Sequence, residues 1–127
     1  MERQLVSAAS SFAEVVAYSR AVRVGDHIFV AGTAPVMPDR GDPPDGPYAQ
    51  AHRCLEIIVE ALKEVGAKAE HVVRTRIYLT RPDDIDEVGR AHGEIFKDIR
   101  PVTTALVVNA LLDPRWLVEI EAEALVK

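Results

Sequence analysis

The segment Leu117-Val118-Glu119-Ile120-Glu121-Ala122-Glu123 sets three carboxylates at alternate positions near the C-terminus. In an extended strand that spacing sends all three to one face. A carboxylate on the inner face of such a strand can orient an attacking water or protonate a carbanion-like carbon, which makes Glu119 the leading catalytic candidate. The plainer alternative is a solvated acidic stripe; it suits Glu123 best and leaves Glu121 between the two readings. Same-face strand neighbours stand about 6.6 to 7 Å apart, too far for adjacent ligation, so the trio is not read as a metal site.

Other side chains offer weaker chemistry. Thr103 and Thr104 are β-formers, and one of their hydroxyls can hydrogen-bond a substrate oxygen. Tyr18 offers a phenol donor from a loop, or ordinary aromatic packing at a subunit boundary. Arg74 and Arg76 alternate on a strand, so either can supply a guanidinium to a cleft or pair with Glu121 or Glu123 across the sheet. Arg115, beside Trp116, can do the same from a loop. His92 has a general base's chemistry, yet helical spacing places it near a core-facing stripe, and a structural or surface role is the expectation. His52 and His71 lack zinc-site spacing, and His27 is placed in a hairpin turn.

Positioning these groups requires a framework, and the periodicities supply one. Ala21 to Ala31 reads as two antiparallel strands joined by a tight Gly25-Asp26 turn. Pro35, Pro38, Pro43, Pro44 and Pro47, with Gly41 and Gly46, make the next stretch a loop. Ala51, Cys54, Leu55, Ile58, Leu62 and Val65 recur at steps of three and four, giving an amphipathic helix ended by Gly66. Val73, Thr75, Ile77 and Leu79 alternate with Arg74, Arg76 and Tyr78 as a strand. Pro82-Asp83-Asp84 opens a second helix with Ile85, Val88, Ala91, Ile95 and Phe96 along its stripe, bounded by Pro101. Thr103 to Ala110 and Trp116 to Val126 read as the last strands. The order β-β-α-β-α-β-β predicts a two-layer α+β domain spanning 1–127, both helices on one face of a mixed sheet. Half-apolar strands left uncovered, such as Val102 to Val108, are expected to be buried by oligomerisation.

The chain has 127 residues, of which 48% are hydrophobic and 28% charged, and a net charge of −5. One core of that size needs neither disulfides nor a structural metal. The acidic balance argues against a nucleic-acid or anionic-membrane surface. Cys54 stands alone, which excludes an intramolecular disulfide framework and fits a reducing, cytoplasmic setting. No apolar run reaches the roughly 20 residues that cross a bilayer, so no membrane partner is expected.

Tyr18-Ser19-Arg20-Ala21, Phe29-Val30-Ala31-Gly32, Glu64-Val65-Gly66-Ala67, Arg100-Pro101-Val102-Thr103-Thr104 and Leu117-Val118-Glu119-Ile120-Glu121-Ala122 occur in an order and spacing that resembles the RidA/YjgF family of imine deaminases over nearly the whole chain. The resemblance implies a chorismate-mutase-like fold, a homotrimer with clefts between neighbouring subunits, and no metal or organic cofactor. It implies hydrolysis of enamines and imines such as 2-aminoacrylate to a keto acid and ammonia. Tyr18, Gly32 and Glu119 align with cleft residues. In deaminating members an arginine two residues after the proline forks onto the substrate carboxylate; here that position is Thr103, whose hydroxyl replaces neither charge nor fork. An asparagine of many members aligns with Gly89, and a cysteine with Ala105, so Cys54 is not its counterpart. The expectation is thus a cofactor-free deaminase with Glu119 as catalytic residue, Tyr18, Gly32, Thr103 and Ala105 as substrate-binding positions, and atypical substrate recognition. The alternative is a non-catalytic metabolite-binding trimer, with RNA cleavage the weakest reading.

Overall fold

A computed structural model describes residues 2–127. Its sheet has six strands, β1 (Arg3–Val6), β2 (Ala21–Val24), β3 (His27–Thr33), β4 (Val72–Leu79), β5 (Val102–Val107) and β6 (Val118–Leu125), in the order β1-β2-β3-β6-β4-β5. Helices α1 (Ala13–Val16), α2 (Pro47–Glu64) and α3 (Ile85–Phe96) complete the fold. Only β4 and β5 run parallel, joined by the α3 crossover; every other pairing is antiparallel. The α+β order expected from the periodicities is present, preceded by β1 and the one-turn α1, which are too short for a periodic signal.

Local chemistry sets the element ends. Gly25 takes φ 61° in the β2–β3 turn, a left-handed conformation that costs glycine nothing. Pro47 is the first residue of α2 rather than the last of the loop, because its missing N–H is one that a helix start leaves unpaired anyway. Gly66, at φ 80°, ends the same helix.

Ala51, Cys54, Leu55, Ile58 and Leu62 of α2 are buried against Ile28 and Val30 of β3 and Val118, Ile120, Ala122 and Ala124 of β6. Fully burying each of the large aliphatic side chains contributes about 1.5–3 kcal/mol. Two expected core positions are exposed. Val73 is out of phase because the β4–β6 register shifts between Val72 and Arg74, so Val72 takes the inward place. Ile85 is 40% exposed because Pro82–Asp84 forms a 3₁₀ turn and α3 begins only after it. The last two strands are also shorter than expected, with Trp116 outside β6, and His27 is the first residue of β3, stacked on Phe29, rather than part of the turn.

Candidate active site

The three glutamates of β6 lie on the sheet face away from the core, since their neighbours Val118, Ile120 and Ala122 are the buried ones. β4 lies beside them with Tyr78 opposite Glu119 and Arg76 opposite Glu121. Arg76 Nη1 stands 3.2 Å from Glu123 and 3.6 Å from Glu121, and Arg74 Nε 3.8 Å from Glu123. The Tyr78 hydroxyl donates to Glu121, which raises the tyrosine pKa. Arg74 and Arg76 are therefore engaged with carboxylates on the outer face, while Thr103 turns its hydroxyl to Thr75 on the helix-covered face. Neither arginine stands in for a guanidinium at Thr103 within one chain.

Glu119 differs. Among the described residues its carboxylate has neither an ion pair nor a hydrogen bond. Burial pushes its pKa up from the ordinary 4.5; Arg20 nearby pulls it partly back and Glu121 pushes it further up. Its position depends on Gly32. The β3–β6 register shifts between Val30 and Thr33, placing a bulge beside Glu119, and a Cβ on Gly32 would overlap Glu119 Oε2 and approach Cδ to 3.3 Å. The carboxyl thus occupies the space that a side chain at position 32 would fill.

Arg20 holds the bulge in place, and the sequence reading gave this residue no role. It is 8% exposed; Nη1 donates to Gly32 O at 2.9 Å and Thr33 Oγ1 at 2.6 Å, and Nη2 donates to the Tyr18 hydroxyl at 3.4 Å. A buried guanidinium among carbonyls stays charged, so it supplies a fixed positive potential beside Glu119. The available signal was its place in Tyr18-Ser19-Arg20-Ala21, two residues beyond the tyrosine and just before β2. Tyr18, Arg20, Gly32 and Glu119 open together onto a cleft of about 1030 Å³, bounded by the segment after β1, the end of β3 and α2.

Thr103 and Ala105 are not in that cleft. They lie on β5, the far edge strand, separated from β6 by β4, and both are exposed. Thr103 Oγ1 lies 2.8 Å from Thr75 Oγ1, which lies 2.8 Å from His92 Nε2. Arg115 is held by Asp113 and Asp42, clasping the Pro-rich loop. Cys54 is fully buried, its thiol pKa pushed far up by desolvation. Among the described residues no three His, Cys, Asp or Glu side chains converge to hold a metal ion, and no helix is long and apolar enough to cross a membrane.

The grouped residues provide a half-buried carboxyl able to exchange a proton, a phenol and a fixed guanidinium around an open cavity. That set suits acid–base work on a small polar molecule. Comparison with known proteins points the same way. Residues 8–126 match the family described as endoribonuclease L-PSP. An uncharacterized protein of Streptomyces coelicolor, SCO2049, is 43% identical over 119 residues, covering 94% of this chain and 89% of that one. The 2-iminobutanoate/2-iminopropanoate deaminase of Mus musculus is 32% identical over 124 residues, covering 96% and 90%. The solved structure of Rv2704 from Mycobacterium tuberculosis, a member of the YjgF/YER057c/UK114 family, superposes with a TM-score of 0.90 at 45% identity, covering 98% of this chain and all of that one. The chain belongs to the RidA/YjgF family, the family that the endoribonuclease L-PSP description denotes.

Proposed function

We propose that the protein is a cofactor-free hydrolase acting on carbon–nitrogen bonds, deaminating small 2-imino acids and their enamine tautomers at clefts between the subunits of a cytoplasmic homotrimer. The observation that carries this reading is Glu119: half-buried, unpaired, with a raised pKa, beside Tyr18 and Arg20 at an open cleft. In the proposed reaction the Glu119 carboxylate takes a proton from water as its oxygen bonds to the imine carbon. The protonated carboxyl then returns that proton to the nitrogen; as the carbon–nitrogen bond breaks, the regenerated carboxylate takes the remaining hydroxyl proton, the carbonyl forms, and keto acid and ammonia leave. An enamine is first protonated on carbon by the acid form, which a raised pKa keeps populated closer to neutrality.

The relatives described as 2-iminobutanoate/2-iminopropanoate deaminases support the substrate class. The trimer draws support from β5, an edge strand exposed at all six positions, with Val102, Leu106 and Val107 each more than half exposed. In such a trimer the β5 edge of one copy, with Thr103 and Ala105, completes the cleft holding Glu119 of the next. Thr103 is the position where the resemblance places a carboxylate-binding arginine, and its hydroxyl is already tied to Thr75. That observation favours a second reading, a metabolite-binding trimer without turnover.

The deciding experiment measures ammonia and keto-acid release from freshly generated 2-imino acids by wild type, Glu119→Ala and Thr103→Arg. Turnover that Glu119→Ala abolishes supports the deaminase; turnover only in Thr103→Arg supports the binding reading, and none in any form overturns the first. RNA processing is disfavoured by the net charge of −5. RNA affinity is expected to be weak with a flat salt slope, and a steep slope in filter binding would contradict this.

A further inference from the structure

Three hydrogen-bonding groups join half-buried His92 on α3 to the exposed edge of the sheet. His92 Nε2 lies 2.8 Å from Thr75 Oγ1, Thr75 Oγ1 lies 2.8 Å from Thr103 Oγ1, and Thr103 Oγ1 lies 3.3 Å from Pro101 O. While Thr103 donates to Pro101, donor arithmetic sets the sense of this chain. A carbonyl only accepts, so the single hydroxyl hydrogen of Thr103 goes to Pro101. Thr75 must then donate to Thr103, and must itself accept from His92 Nε2–H. Its last link is long for an O–H donor, so the Thr103 hydrogen is easily turned toward a better acceptor arriving at the edge.

We propose that His92, acting through Thr75, makes the Thr103 hydroxyl an obligate donor when the imidazole is protonated, so that the β5 edge binds small carboxylates more tightly in that state. A protonated imidazole has an N–H on both nitrogens and cannot accept, so the chain runs only outward. A neutral imidazole can shift its hydrogen to Nδ1, and the chain can then reverse, leaving Thr103 facing a carboxylate with lone pairs. His92 is a positioning residue here; Thr103 is the group that touches the ligand. The inference rests on the reading above, in which Thr103 faces substrate, and replaces a permanent guanidinium with a device that responds to pH.

The surroundings of His92 suit that role. The Phe96 ring packs at 4.6 Å, and burial alone pulls the His92 pKa below its ordinary 6.5. On β4, Arg74 and Arg76 are engaged with Glu121 and Glu123 on the opposite sheet face, and β5 carries no charged residue. Arg90 and Glu94 of its own helix are engaged with Tyr48. The neighbouring 3₁₀ turns carry Glu70, His71, Asp83 and Asp84, the first turn of α3 carries Asp86 and Glu87, and α2 carries His52, Arg53, Glu56, Glu60, Lys63 and Glu64, none of which perturbs the His92 titration.

Reciprocity supplies the test: if protonating His92 tightens carboxylate binding, a bound carboxylate must raise the His92 pKa by the same factor. The probe is 2-oxobutanoate, with its Kd measured by calorimetry from pH 5 to 8 and His92 followed by imidazole ¹⁵N NMR on the full chain. Wild type is expected to bind about threefold to tenfold more tightly as pH falls through the His92 titration, the range that one net hydrogen bond spans, and saturation to raise the His92 pKa by about half to one unit. His92→Gln, whose amide can donate or accept but does not titrate in this range, should bind with one pH-independent Kd. Thr75→Val should bind weakly and hold the His92 pKa fixed on addition of ligand, which separates the relay from simple proximity of charge.

A wild-type pH dependence retained in His92→Gln assigns it to another group such as Glu119 and overturns the inference. So does a His92 pKa shift that survives Thr75→Val. Absence of both 2-oxobutanoate binding and imine turnover overturns the deaminase reading along with it. Turnover with a pH-independent Kd overturns the relay alone.

Discussion

Glu119 and Glu123 share a strand, a face and a side-chain type, yet their surroundings are opposite. Glu123 lies within 3.8 Å of Arg74 and 3.2 Å of Arg76, and Glu121 adds Arg76 and Tyr78. Glu119 faces the bulge at Gly32 and has no partner among the described residues, only Arg20 at longer range. The sheet neutralises its acidic stripe from one end and stops short of the last member. Burial without a partner makes Glu119 hold its proton to higher pH than a solvated carboxyl does. Leaving Glu119 unpaired costs stability and makes the group available for chemistry.

The largest expected difference is in turnover. Glu119→Gln should lower kcat/KM for 2-imino acids by about 10²–10⁴, the range for losing a general acid–base group, whereas Glu123→Gln should stay within about twofold. Equal losses in the two variants would erase the distinction between the ends of the stripe.

Next in size is Gly32→Ala. The added methyl must displace the Glu119 carboxyl, and a displacement on the order of 1 Å is expected to lower kcat/KM by up to about 10² while leaving Glu119 itself in place. Unchanged kinetics would show that the carboxyl can act from elsewhere.

Arg20→Gln removes the buried donors to Gly32 O and Thr33 Oγ1, and should cost about 1–3 kcal/mol in urea unfolding. Because Arg20 pulls the Glu119 pKa down, its loss should also move the Glu119-dependent limb of the pH–rate profile to higher pH. Arg20→Lys, keeping charge without the fork, should restore the limb more fully than the stability.

The smallest effect is on stability against pH. The folded state holds a proton on Glu119 at pH values where the unfolded chain, near 4.5, has lost it. That contribution to stability is complete below about 4.5 and is lost as pH rises through the folded pKa. Glu119→Gln should therefore match wild type in Tm near pH 4 and exceed it by a few degrees at pH 7–8. Glu123→Gln should show no such gain, since it breaks ion pairs instead. His92 acts in the opposite sense: with its pKa lowered by burial, its contribution is full above 6.5 and falls as pH drops below that value.

Much of this architecture was legible in one dimension. The three-and-four spacing of Ala51, Leu55, Ile58 and Leu62 encodes α2, and strict alternation from Val118 to Ala124 encodes β6 and its two faces, because periodicity reports which side of an element meets the core. Glu119, Tyr18 and Gly32 were nameable, by strand alternation for the first and by resemblance for all three. Arg20 was given no role, since beyond its place after Tyr18-Ser19 nothing local distinguishes a buried, fully engaged arginine from a solvated one; its partners at positions 31–33 lie across a strand pairing. Val73 was placed on the wrong side because a bulge changes phase by one residue without a sequence signal of its own.

The sequence by itself determined the elements, their order and the carboxylate stripe, all of which depend on neighbours a few residues apart. Tertiary structure decided which carboxylate stays unpaired and which threonine joins a histidine. Those outcomes depend on strand register, where a shift of one residue reverses every face, and on long-range pairings such as β4 with β6 that no local period encodes.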